Sequence, residues 1–369
     1  MPPRTPHSAL RTPVGVGIVG LGFMAATHLK AYRQIDGYRI AALCNPSGRN
    51  LDGDFSKVAG NVGSTEPLKL EMSQVKAYRS LAEMLADPAV QLVDICAPTH
   101  THPELAIAAL RAGKHVLCEK PLARTAALAR EIAGAAAKAN AFLMPAMCLR
   151  FWPEWAWAKK AFEEKTYGRC LGARFRRVAQ PPGWGQTFFL DGNLSGGALL
   201  DLHIHDTDFV QFCFGRPRGV FSTGFSKVSG AIDHVVTQYQ VAGGASVSAE
   251  GSWAMTEGFG FNMSYTVILE NATADYDLAR GADALKLFEK GQEPRTLKLE
   301  GKDGYVGELK YLLECIRSGR PPSVVTARDG VSAVEICEAE ERSVKAGRNI
   351  IIPEELSALP RNSKSSTAP

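Results

Sequence analysis

The chain has 369 residues, 45% of them hydrophobic and 22% charged, proportions that exclude a disordered or fibrous chain and predict about two globular domains. Its 42 basic and 38 acidic residues leave a net charge of +4, too even a balance for a nucleic-acid or membrane-surface protein. The eight cysteines (Cys44, Cys96, Cys118, Cys148, Cys170, Cys213, Cys315 and Cys337) are scattered without a CxxC pair, which argues against a disulfide scaffold or zinc ribbon and for reduced thiols in a cytoplasmic protein.

Residues 1–13 lack the apolar core of a signal peptide and read as a disordered lead-in. Val14–Val19 then reads as a buried strand, residues 24–35 as a helix and Tyr38–Leu43 as a second strand. A more polar stretch follows, with a helix expected near residues 50–60. A short strand begins at Ala77–Tyr78, and Ser80 is placed to cap a helix over Leu81–Leu85. Leu92–Cys96 is a strand, Pro103–Ala112 a helix stopped by Gly113, His115–Cys118 a strand, 125–139 a helix and Phe142–Met147 a strand. Arg130, Glu131 and Lys138 mark the 125–139 helix as water-exposed rather than membrane-spanning. This alternation over residues 14–148 predicts a doubly wound parallel sheet.

Beyond residue 148 the pattern changes to serial runs of alternating or β-branched residues: Arg174–Ala179, His234–Val241, Ala245–Trp253, Asn262–Leu269 and Ala272–Leu278. They predict a large, mostly antiparallel open sheet in an α+β domain over 149–356, completed by helices near 307–318 and 329–346. Residues 357–369, rich in Ser, Ala and Pro, read as a flexible tail.

The first motif with chemistry is Gly20-Leu21-Gly22-Phe23-Met24-Ala25, a G-x-G-x-x-A turn between the first strand and the first helix. Gly20 permits the tight turn, Gly22 lets a pyrophosphate approach the backbone, and Ala25 permits close helix–strand packing. The end of the second strand normally carries an acid that reads the ribose hydroxyls of NAD. Here it reads Cys44-Asn45-Pro46-Ser47-Gly48-Arg49. With no acid there, Asn45, Ser47 and Arg49 accommodate a 2′-phosphate, and the expectation leans to NADP(H) over NAD(H).

A longer match follows. Val93-Asp94-Ile95-Cys96-Ala97-Pro98-Thr99-His100-Thr101-His102 leads through Ala109-Leu110-Arg111-Ala112-Gly113-Lys114-His115-Val116 to Glu119-Lys120-Pro121. A second block is Gly196-Gly197-Ala198-Leu199-Leu200-Asp201-Leu202-His203-Ile204-His205-Asp206. Together with the nucleotide fingerprint, these resemble the glucose–fructose oxidoreductase, inositol 2-dehydrogenase and rhizopine catabolism (Gfo/Idh/MocA) family over about residues 14–353. The resemblance implies an NAD(P)-binding Rossmann domain over 14–148 and a substrate-binding and oligomerisation domain over 149–356. Pro98, Thr99, His102, Glu119 and Lys120 would then border the cofactor.

The resemblance also makes Lys120 the residue beside the reacting carbon and His205 the catalytic acid/base, with Asp201 and Lys120 as its partners. Read as residues, Asp201 and His205 stand four apart and share a face if one helix carries both, so the carboxylate orients the imidazole. His203 lies off that face and reads as packing or subunit contact. Arg150, in an R-F-x-P segment, and Trp184, on a Pro-Gly loop, are candidates for the substrate pocket. The implied reaction moves hydride between nicotinamide and a secondary alcohol or ketone of a sugar, cyclitol or related polyol. The expected partners are that small molecule and other copies of the chain, as a homodimer or homotetramer through the antiparallel sheet, with no membrane and no nucleic acid.

Three alternatives remain. The same residues serve a glycosidase that oxidises its substrate transiently with bound NAD. A regulatory protein binds a dinucleotide without turnover. His203 and His205 also form the HxH of a metal-dependent hydrolase, but too few residues follow for a barrel of about 250 residues, and no metal is expected.

Overall fold

The computed structural model describes residues 12–60, 66–301 and 303–354. The lead-in, but for its last two residues, and the tail over 357–369 lie outside the described residues. The first half alternates β1 (Val14–Val19), α1 (Phe23–Tyr32), β2 (Tyr38–Cys44), β3 (Lys76–Tyr78), α2 (Leu81–Ala86), β4 (Leu92–Ile95), α3 (His102–Arg111), β5 (His115–Glu119), α4 (Ala126–Lys138) and β6 (Leu143–Ala146). The strands form one sheet in the order β3-β2-β1-β4-β5-β6, parallel throughout. β1, β4 and β6 are buried along their whole length, as expected of strands covered on both faces; the one charged residue among them is Asp94 of β4. Strand order reverses between β1 and β4, which opens the crevice where such sheets bind ligands.

Local chemistry sets the helix ends. Ser80, Thr125, Asp303 and Thr326 accept backbone N–H groups at the starts of their helices. Gly113 takes φ +72° after α3. The helix expected near residues 50–60 does not form. Asn50 and Gly53 adopt positive φ, and the Asp52 and Asp54 carboxylates accept the backbone N–H groups of Asp54 and Ser56. Such local bonds favour turns over helix.

The second half opens with α5 (Pro153–Glu164) and β7 (Cys170–Ala179), followed by four short segments: α6 (Gln186–Phe189), α7 (Gly192–Ser195), α8 (Gly197–Asp201) and the longer α9 (Ile204–Phe214). Then come β8 (Gly219–Phe225), β9 (His234–Gln240), β10 (Ser246–Ser252), β11 (Phe261–Leu269), β12 (Ala272–Asp277), β13 (Leu285–Glu289), β14 (Arg295–Thr296), α10 (Gly304–Ser318), α11 (Ala327–Ala346) and β15 (Ile350–Ile351). The nine strands are ordered β14-β13-β12-β11-β7-β10-β9-β8-β15. Every neighbouring pair is antiparallel except β7 with β10. One face is packed by a buried aromatic cluster. Trp155 stacks on Phe175 at 5.7 Å and meets Phe209 edge-on at 4.8 Å. Although they follow the second sheet in sequence, α10 packs on α1 and α11 on α4. Tyr305, Val306, Leu309, Val331 and Val334 thereby join the core of the parallel sheet.

Candidate active site

The glycine turn closes against the switch point. Gly20 has φ +82°, and a Cβ there would stand 2.5 Å from the Ala97 Cα at the end of β4, so only glycine fits. Around Gly22 a Cβ would meet nothing within 4 Å. That open space faces the first turn of α1, which carries no acidic residue and no side-chain cap, leaving its backbone N–H groups for an anion. Ala25 is fully buried against the sheet. The cradle fits a dinucleotide pyrophosphate. Phe23 leans on Trp184, ring centroids 5.5 Å apart. Met24 is half-buried on the same helix start.

Lys120 leaves the end of β5 through a cis peptide bond to Pro121. Its Nζ donates to the Asp201 backbone oxygen at 2.7 Å and lies 3.7 Å from the Asp201 carboxylate. This contact joins the parallel sheet to α8. Burial raises the Asp201 pKa, with Lys120 opposing the rise. His205, in the first turn of α9, has its pKa pushed well below the ordinary imidazole value by burial and by the charges of Lys120 and Arg177. Its Nδ1 is buried without a hydrogen-bond partner. The imidazole is therefore held in its neutral form.

The shared helix face expected for Asp201 and His205 is not formed. α8 ends at Asp201 and α9 begins at Ile204, with Leu202 and His203 between them. Among the described residues, Asp201 pairs with Lys120 rather than with His205. His203 is fully buried, its Nε2 3.2 Å from the Tyr239 hydroxyl and 3.5 Å from Glu340, and a side chain at Gly251 would strike it; it is a packing residue.

Arg150 requires a correction. It is 5% exposed, and Nε and Nη2 donate to both oxygens of Asp208 at 2.8 and 2.6 Å while Nη1 donates to the Val324 carbonyl. Spent in this way, the guanidinium ties the 148–151 segment to α9 and does not line a substrate pocket. His102 is 1% exposed, with Nδ1 2.9 Å from the Pro121 carbonyl and Nε2 2.9 Å from the Ala97 carbonyl. It staples the β4 and β5 loops, and buried Thr99 lies on the β4 loop while Pro98 is exposed. Asn45 is occupied inside its own turn: Oδ1 accepts from the Ser47 N–H and hydroxyl, and Nδ2 donates to the Arg49 carbonyl.

Two features escaped the sequence reading: the buried partners of Glu119, and Arg177. Glu119 accepts the Lys120 N–H at 3.0 Å and lies 3.1 Å from Nε2 of the fully buried His28. His28 Nδ1 is 2.9 Å from Asp94, which also accepts from Tyr32. Burial works against charge on His28, but Asp94 and Cys96 carry its pKa well up. Glu308 of α10 comes within 3.8 Å and is pushed well up by burial. The ligand atoms of His28, Asp94 and Cys96 lie within 4.8 Å of one another, but they bond to each other at hydrogen-bond distances, so the cluster reads as a brace for Glu119 and Lys120. The second feature is Arg177, paired with Asp206 at 3.0 Å, with Nη2 and the Asp206 Oδ1 buried and unpartnered. Alternation along β7, with Phe175, Arg177 and Ala179 buried, was the available signal.

Comparison with known proteins decides the family. The model of the Gfo/Idh/MocA oxidoreductase family, NAD-binding Rossmann fold, matches residues 14–147, and that of the Gfo/Idh/MocA C-terminal domain matches residues 155–275. The chain belongs to the Gfo/Idh/MocA family. It is 28% identical to the myo-inositol 2-dehydrogenase of Thermotoga maritima over 92% of this chain and 98% of that one. It is 24% identical to the scyllo-inositol 2-dehydrogenase (NAD(+)) of Bacillus subtilis over 90% and 95%. A levoglucosan dehydrogenase solved with NADH superposes with a TM-score of 0.79 at 22% identity, covering 93% of this chain and all of that one. This Gfo/Idh/MocA protein is thus an oxidoreductase with the family's nucleotide-binding and C-terminal folds. No helix among its described residues is long and apolar enough to cross a membrane.

Proposed function

We propose that this enzyme is an NAD(P)-dependent dehydrogenase or reductase that interconverts a secondary alcohol and a ketone on a sugar, cyclitol or related polyol. The observation that carries the reading is the Lys120–Asp201 contact, which gathers an ammonium, a carboxylate and the neutral His205 at the mouth of the nucleotide crevice. The inositol and levoglucosan dehydrogenase names of its relatives support the substrate class.

The bound nicotinamide supplies hydride exchange with the carbinol carbon. The α1 N-terminus and the Gly22 opening hold the pyrophosphate, and Lys120 and His205 face the substrate hydroxyl. His205 takes the hydroxyl proton during oxidation and returns it during reduction. Lys120 stabilises the developing alkoxide, and Asp201 keeps Lys120 aimed. Glu119, held by His28, fixes the backbone from which Lys120 projects. Trp184, against Phe23, offers an apolar wall where the two halves meet, while Thr99 and His102 keep the β4 loop in place.

A screen of monosaccharides and inositols with both cofactors, following the absorbance of reduced nicotinamide, tests this reading. Substrate-dependent reduction that vanishes in Lys120→Ala and His205→Ala is expected. Cleavage of a glycoside without net cofactor reduction would establish the transient-redox alternative, and physiological activity that survives both substitutions would establish a regulatory protein. The eight free cysteines suit a cytoplasmic enzyme. The uncovered face of the nine-stranded sheet, bearing Phe221, Val236, Ile268 and Phe288, suits a homodimer or homotetramer. The absence of an acid at Asn45 keeps the lean toward NADP(H).

A further inference from the structure

The turn after β2 is tied on both sides to the nucleotide crevice. Gly20 N–H donates to the Cys44 carbonyl at 3.1 Å, and Asn50 Nδ2 donates to the Leu21 carbonyl at 2.8 Å, so the glycine loop and this turn form one rigid rim. On the other side, Asn45 N–H donates to the Tyr78 carbonyl at the end of β3. Arg79 follows at once, and its guanidinium lies over the turn: a Cβ at Gly48 would stand 2.8 Å from the Arg79 Cζ. Gly48 has φ +78°, so the close approach and the turn both require glycine.

Three polar side chains are exposed on this rim: Ser47, Arg49 and Arg79. Among the described residues, neither arginine has a carboxylate partner within ion-pair distance. The amide of Asn45 is consumed within the turn and leaves no acceptor pair for both ribose hydroxyls. A phosphate monoester brings three acceptor oxygens and nearly two negative charges, and a guanidinium is the group that binds it in two-pronged fashion.

We propose that Arg79, arriving from β3 rather than from the β2 turn, is a specificity-determining residue that grips the 2′-phosphate of NADP(H), with Arg49 as the second cation. The inference rests on the dinucleotide reading of the glycine cradle and deepens it. Arg79 is placed by strand pairing, so it holds the phosphate without being contiguous with the turn that the ribose meets.

The test uses the intact protein free of cofactor. Titration calorimetry compares adenosine 2′,5′-bisphosphate with adenosine 5′-phosphate, which differ only in the 2′-phosphate, and then NADPH with NADH. The wild type is expected to bind each 2′-phosphorylated member at least about tenfold more tightly. Arg79→Ala is expected to lose about tenfold or more on the phosphorylated members and to stay within about twofold on the others. Arg79→Lys, which retains the charge without the planar fork, should fall between. Equal affinity of the wild type for both nucleotides, tighter NADH than NADPH, or an equal loss on all four ligands in Arg79→Ala overturns the inference and leaves the dehydrogenase reading standing. Binding of none of the four overturns both.

Discussion

His205 is half-buried, and its desolvation and the charges of Lys120 and Arg177 each disfavour its protonated form. As a base it therefore works below the pH at which a free imidazole is half protonated. The acid limb of kcat/KM for alcohol oxidation is expected below pH 6.5, the reference value for histidine. Removing a cation raises the pKa, so replacing Arg177 should move that limb upward. Arg177→Met alone strands the buried Asp206, at a cost of about 3–5 kcal/mol; the double variant Arg177→Met/Asp206→Leu avoids this. An unmoved limb in the double variant would remove Arg177 from the account. Glu308 gives a second titration. Burial raises its pKa, so the folded state holds that proton more tightly than the unfolded chain. Stability is then greatest below the unfolded carboxyl pKa and is lost as pH rises toward the folded value. Glu308→Gln should flatten the alkaline side of the Tm–pH curve, and an identical slope in both proteins would contradict the assignment.

At the scale of elements, the parallel sheet was legible because strands covered on both faces are mostly apolar runs, as Val14–Val19 is; Leu92–Ile95 keeps that pattern but for the buried, hydrogen-bonded Asp94. Capping made α2 legible at Ser80. β8 carries Gly219 and Gly224 in a seven-residue strand, which blurs its alternation, and β14 spans only Arg295–Thr296. The break between α8 and α9 carries no proline, so the i, i+4 spacing of Asp201 and His205 suggested one face where the chain makes two helices. Lys120, Asp201 and His205 are singled out by motif resemblance alone, whereas the pairing of Lys120 with Asp201 depends on how α8 docks on β5. Arg150 was misread because a buried structural arginine and a ligand-binding one look alike until the partner is known, and Asp208 lies 58 positions away. Its new role has a consequence: Arg150→Met should destabilise by about 3–5 kcal/mol through the orphaned Asp208. Urea denaturation measures this, and Arg150→Met/Asp208→Leu should recover most of it. A fully stable Arg150→Met with a raised substrate KM would return Arg150 to the pocket.

At the scale of the whole molecule, the nine-stranded sheet poses a problem of exposure. One face is packed by Trp155, Phe175, Phe209 and their neighbours, while the other presents Phe221 at 44%, Val236 at 40%, Ile268 at 49% and Phe288 at 41% exposure. Between them Arg174 and Arg176 both reach Glu250, at 3.3 and 3.1 Å, so these three charged groups are already partnered and their burial leaves Glu250 paired. The sheet ends on two-residue strands, Arg295–Thr296 and Ile350–Ile351, and edges that short offer little for strand addition. Association should therefore proceed face to face and bury the apolar side chains in a two-fold arrangement. Phe221 and Ile268 lie on the side of the sheet away from α9 and its His205, so a charge there should separate subunits without touching the chemistry. Light scattering of the wild type is expected to give a multiple of the 39.7 kDa chain mass, and Phe221→Asp/Ile268→Asp a single chain with its cofactor affinity retained. A wild type that runs as a monomer at micromolar concentration would leave this face without a partner and refute the assembly.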